Sequence, residues 1–169
     1  MMYDNAPDSI LRELSNRDEE NKNFDHFAIY IDPFNNNQVE YSFAVTSAGV
    51  QIDRKFSKMG VDKSWNAVWK SAVNINKIGW SVEFSIPFSQ LRYPNDNKSW
   101  ALNMERGIRR YREDYSWNPI NTEYTNFGLQ AGLLNGIEYI NSPLRLSIMP
   151  YISIYSNIYN GEYTFPYNC

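Results

Sequence analysis

Three tryptophans, Trp65, Trp69 and Trp117, lie in or beside loop-like stretches that carry amide, carboxylate and guanidinium groups, among them Asn66, Asn118, Arg109 and Glu113. A pyranose ring presents apolar C–H faces that stack on indole or phenol, and its hydroxyls need hydrogen-bond partners of just these polar types. Trp65, Trp69, Arg109, Glu113 and Trp117 are therefore the candidate residues for holding a carbohydrate. Each indole has an equally good use in a buried core or an interface.

Catalytic chemistry has less support. Glu83 and Glu105 fall on neighbouring candidate strands and both project to a polar face, where they could stand about 5 Å apart, the spacing of a retaining glycosidase pair. Arg106, Arg109 and Arg110 are close in sequence, however, and such partners keep carboxylates ionised, which suits a structural network better than a general acid. His26 is the one histidine and Cys169 the one cysteine, at the last position. Neither a Ser-His-Asp nor a Cys-His arrangement is supported, and a histidine-based metal site fails for the same reason. A haem-binding sandwich would need His26 with Met59 or Met104 as axial ligands, and no motif supports that pairing.

The elements that must position these residues alternate as strands do. The stretch from Trp65 to Trp117 contains all five tryptophans. Within it Trp80, Val82, Phe84 and Ile86 fall on one side and Ser81, Glu83 and Ser85 on the other, and from Trp100 the pattern resumes with Leu102, Met104 and Ile108 against Asn103, Glu105 and Arg109. Earlier, Phe27, Ile29 and Ile31 oppose His26, Ala28, Tyr30 and Asp32. The composition of PFNNNQ (33–38) predicts a turn into a second strand over 39–47 with Tyr41, Phe43 and Val45 inward, and Gly49 predicts a further turn into 50–56, a three-stranded meander. A second hairpin is expected from 67–76 and 79–87, a sixth strand at 100–110, and one more at 127–134. Residues 58–64 and 112–126 read as loops, the latter long and polar. Pro7 to Arg17 has helical spacing, with Ile10, Leu11 and Leu14 on one face, and predicts a short helix.

At 169 residues the chain is long enough to bury a core of its own. Its 13 tyrosines, nine phenylalanines and five tryptophans argue against a helical bundle and fit strands, carbohydrate platforms or membrane-interface girdles. A formal charge of −3 gives no general attraction for nucleic acid. The one basic run, 106–112, is flanked by Glu105, Glu113 and Asp114 and reads as a network of paired side chains. Neither a signal peptide nor a stretch long enough for a transmembrane helix is visible. From Leu144 to Tyr159 an apolar face alternates with a Tyr/Ser/Asn face over sixteen residues, a pattern shared by transmembrane barrel strands and by the edge strand of a sandwich.

The order RDEENKNFDHFAIYIDPFNNNQVEYSFAVTSAGVQID, SWNAVW, GWSVEFSIPFSQLRYP, WALNMERGIRRYRED and LRLSIMPY resembles the family-9-type carbohydrate-binding module found at the front of large bacterial outer-membrane proteins, over roughly 4–151. The resemblance implies an antiparallel, jelly-roll-like β-sandwich over 1–140, with earlier strands and a signal peptide expected ahead of Met1. It implies a linker and first barrel strand over 141–169. It also implies non-catalytic binding of a polysaccharide or oligosaccharide at the bacterial outer membrane or periplasm, linked to carbohydrate catabolism, with the barrel as partner. The alternative is a structural plug or docking domain for that barrel. Such modules carry calcium, and Asp25, Asp32, Glu40 and Asp53 are the residues that could supply hard oxygen ligands, although their spacing matches no recognised loop.

Overall fold

The structure, a computed structural model, describes residues 1–96, 99–121, 130–137, 140 and 150–153, and the backbone of 157–159 and 162–164. Its strands are β1 (Met2–Tyr3), β2 (His26–Asp32), β3 (Val39–Thr46), β4 (Gln51–Ser57), β5 (Gly60–Asp62), β6 (Lys70–Asn76), β7 (Gly79–Ser85), β8 (Ser99–Ile108), β9 (Glu113–Ser116), β10 (Gly132–Asn135), β11 (Asn157–Tyr159) and β12 (Glu162–Thr164). Among the described residues, seven strands form one antiparallel sheet in the order β10-β8-β2-β3-β4-β5, with β9 also on β8, and three form a second in the order β1-β7-β6. β10 pairs with 99–102 and β9 with 105–108, so the two share the outer edge of β8. β11 and β12 pair with each other.

The core follows from the alternation. Ile31 from β2, Tyr41, Phe43 and Val45 from β3 and Trp100 from β8 bury together, and Val73, Val82 and Phe84 of the smaller sheet pack against them. Trp80, with none of its surface exposed, joins Met2 and Ile10 in a neighbouring cluster that Phe27 borders. Glu83 and Ser85 face outward, as the period of two requires. The chain is thus an antiparallel β-sandwich, as expected.

Four local expectations change. Within the segment 7–17, helix is confined to one 3-10 turn, Pro7–Ser9, whose N-cap has no side-chain hydrogen bond. Beyond it the chain is extended, because its backbone groups pair with the 23–25 segment instead: Glu13 N–H donates to Asn23 O at 3.0 Å and Asp25 N–H to Leu11 O at 2.8 Å. Ile10 serves the core from this turn without a helix. The 58–64 loop contains β5, and the polar stretch after Arg112 opens with β9, formed because β8 offers an unpaired edge there. Of the last predicted sandwich strand, 127–134, residues 127–129 lie outside the described residues, 130–131 precede the strand, and β10 ends one residue later, at Asn135. The long strand expected over 144–159 lies mostly outside the described residues.

Two arginines of the basic run pair, with an acid of the N-terminal segment and not with the flanking Glu105, Glu113 or Asp114. Arg106 and Arg110 converge on the buried Asp4 carboxylate at 3.3 and 2.8 Å, tying the end of β8 to the N-terminal segment. The Arg110 hydrogen bond, above all, holds the Asp4 carboxyl below the usual range.

Candidate functional site

The large sheet has a second face that does not meet the smaller sheet. On it the register sets Ala28 between Ala44 and Glu105, Ser42 between Tyr30 and Arg54, and Ile52 beside Ala44. Three small side chains on adjacent strands, Ala28, Ser42 and Ala44, leave a trough, and the longer residues around them form its walls. The result is a groove of about 510 Å³, within the roughly 300–1,000 Å³ typical of small-molecule sites.

Aromatic and charged groups divide the walls. Tyr30 and Phe56 stand partly exposed with ring centroids 6.2 Å apart and planes tilted by 53°, and Phe24 closes the floor. Along the rim Arg54 Nε donates to Glu20 at 2.8 Å and Lys63 Nζ reaches the same carboxylate at 3.4 Å, while Lys22, Arg109, Arg112 and Glu113 also line the opening. At one end Glu105 accepts from Tyr30 Oη and stands 3.3 Å from His26 Nε2, with Asp114 beside them. Burial, and then the charges of Glu105, Glu40 and Asp114, push the Tyr30 phenol up, so it remains a neutral donor. Just outside the groove, across from Phe56 in the register, burial and then Asp32 push the Glu40 carboxyl up to about 7.

This end depends on Gly107, paired with His26 in the register. A Cβ at Gly107 would lie 2.1 Å from His26 Cε1 and 2.9 Å from Asp114 Oδ1. Gly107→Ala should therefore displace the imidazole and cost about 1–3 kcal/mol by overpacking, measurable by urea denaturation; an unchanged midpoint would show that the ring has room to move.

The residues singled out from sequence divide between sites. Arg109 and Glu113 line the groove. Trp69 is 6% exposed and stacks on Phe84 at 5.7 Å and 4°, and Trp65 packs against Tyr41 and Phe43, so both belong to the core between the sheets. Trp117 is 55% exposed but lies beyond β9 against Gly132, away from the groove. The structure thus brings together only two of the five.

The four acids proposed for calcium do not gather either: among the described residues, no three of them come within reach of one ion. Asp32 accepts from the backbone N–H groups of Phe34, Asn35, Asn36 and Asn37, at 2.7–3.1 Å, and so builds the turn after β2. Asp53 holds Arg17, Ala67 N–H and Trp69 Nε1, and Asp25 accepts from Arg109 N–H. Glu83, on β7, belongs to the smaller sheet and cannot pair with Glu105 on β8 as a catalytic couple. Met59 is wholly exposed at the β4–β5 turn, and Met104 precedes the groove residue Glu105 on β8 and so projects to the opposite face, so neither faces His26 as a haem ligand. Sequence reasoning missed Tyr30, Phe56 and Asp114 and weighed Glu105 only as a partner of Glu83; the available signal was small residues, Ala28, Ser42 and Ala44, at outward positions of consecutive strands.

The chain is thus a two-sheet β-sandwich that presents a groove with aromatic walls and a polar rim on one sheet face. The profile of the family described as carbohydrate family 9 binding domain-like matches residues 7–108, more than half of the chain, and the chain belongs to that family. No curated protein and no solved structure matches it.

Proposed function

We propose that the chain binds carbohydrate without catalysis, in the groove on the outward face of the large sheet. The observation that carries this is the pair of partly exposed rings, Tyr30 and Phe56, above a floor of small residues. A sugar face laid on these rings would find its hydroxyls among the Glu20, Lys63 and Arg54 groups on one side and Glu105 and Arg109 on the other. Family membership supports a sugar as occupant. The resemblance to modules of outer-membrane proteins supports a setting at the bacterial outer membrane, beside a β-barrel, in the service of polysaccharide catabolism.

Calorimetric titration against a panel of neutral and acidic oligosaccharides tests the proposal. Saturable binding is expected with at least one of them, weakened tenfold or more in Phe56→Ala, as for a central aromatic contact, and unchanged in Trp117→Ala. Binding that survives Phe56→Ala and Tyr30→Ala alike would place the sugar elsewhere. The alternative, a docking domain for a barrel, is favoured by Tyr115, Trp117 and Leu133, each more than half exposed near the outer edge of β8. It would gain if the folded protein bound none of the panel.

A further inference from the structure

We infer that His26, Glu105 and Asp114 form a divalent-cation site at one end of the groove, suited to zinc, with an open position facing the groove. Three separate elements deliver the donors: β2 carries His26, β8 carries Glu105 and β9 carries Asp114. The register sets His26 opposite Gly107 on one side, and Gly107 opposite Asp114 on the other. Ligand atoms of all three residues lie within 4.8 Å of one another.

The spacing of the donors is compatible with an ion in place of their hydrogen bond. Metal–ligand bonds of about 2.1 Å in a tetrahedral site put neighbouring donor atoms about 3.4 Å apart. His26 Nε2 and Glu105 Oε1 stand at 3.3 Å, so an ion could take that place with little movement of either side chain. Asp114 is exposed, so its carboxylate can close the remaining gap at little cost.

Two features mark the cluster as built rather than incidental. Gly107 leaves vacant the volume in which a Cβ would overlap both the imidazole and the Asp114 carboxylate, so the two share one space only because no side chain stands there. Tyr30 Oη donates to the same Glu105 oxygen at 3.3 Å, the kind of outer hydrogen bond that fixes a ligating carboxylate. One imidazole and two carboxylates suit zinc or manganese more than calcium, which prefers six to eight oxygens. With three protein ligands, zinc keeps a fourth position for a water or a ligand hydroxyl.

The test uses the whole chain after treatment with a chelator, titrated with zinc alone and separately with calcium. Saturable one-to-one zinc binding is expected, with calcium at least tenfold weaker. Asp114→Asn and His26→Gln should each weaken zinc by tenfold or more, and cobalt should give a visible d–d band that both variants lose. Asp114→Asn is the safer probe, because the residue is exposed and its metal-free unfolding midpoint should match the wild type. Absence of saturable zinc binding, or undiminished binding in both variants, would overturn the site. Because no sugar enters the titration, its outcome is independent of the carbohydrate proposal.

Discussion

Asp53→Ala is expected to destabilise the protein by about 3 kcal/mol or more. Asp53 is completely buried on β4, on the same side as Phe43, and its carboxylate binds three donors from elsewhere in the chain. Ala67 N–H donates at 2.6 Å, Trp69 Nε1 at 3.2 Å, and Arg17 forms a salt bridge. Arg17 is partly exposed and can return to water, but Ala67 N–H and the Trp69 indole N–H are buried and would lose their acceptor. Each such orphaned donor costs about 1–3 kcal/mol, and removing one partner of a buried ion pair is strongly destabilising. The consequence is local as well as global, because Asp53 clamps the 65–69 crossover against the large sheet. Urea denaturation should show a lower midpoint at pH 7; a loss below about 1 kcal/mol would mean that water or Gln51 replaces the carboxylate.

The second large effect is a dependence on pH. Burial and the neighbouring Asp32 raise the Glu40 carboxyl to about 7 in the folded protein, against 4.5 for the free group. The folded state therefore holds a proton that the unfolded chain has already released. Stability from this group is fully present below about pH 4.5 and is lost as pH rises through 7, because between these values the native state binds more protons. The loss amounts to on the order of 3 kcal/mol. Glu40→Gln should flatten the profile between pH 5 and 8 and raise stability at pH 8 above that of the wild type. Denaturation of both proteins at four pH values across this range measures it, and parallel profiles would show that Glu40 titrates normally.

Much of the sandwich was legible because strand alternation is a local property. β2 and β7 begin at the residues where alternation placed them, and the inward sets Phe27, Ile29, Ile31 and Tyr41, Phe43, Val45 were readable by period alone. The N-terminal segment looks helical in sequence because Ile10, Leu11 and Leu14 fit a helical face, while what decides it is its non-local pairing with 23–25. β9 is hidden from sequence for the same kind of reason: Glu113–Ser116 has no apolar period, and it is a strand only because the outer edge of β8 is open.

The groove was far less legible. Sequence alone points to indole rings for the sugar because pyranose faces stack on them, yet their size and apolarity make Trp65 and Trp69 good fillers of the space between two sheets. The groove uses smaller rings, and its depth comes from Ala28, Ser42 and Ala44, whose adjacency depends on strand register and not on spacing along the chain. Likewise Glu105 and Asp114 meet His26 only through two different strand pairings. A single histidine in the sequence gave no hint of a metal cluster.

The most direct test of binding at the groove is amide chemical-shift mapping of the ¹⁵N-labelled protein during titration with an oligosaccharide that binds it. Shifts concentrated on His26–Tyr30, Ser42–Ala44, Ile52–Phe56 and Glu105–Arg109 are expected, with Trp117 and the 65–69 crossover little changed. Shifts centred on Trp117 and β10, with the groove strands silent, would contradict it and move the carbohydrate site to the outer edge of β8.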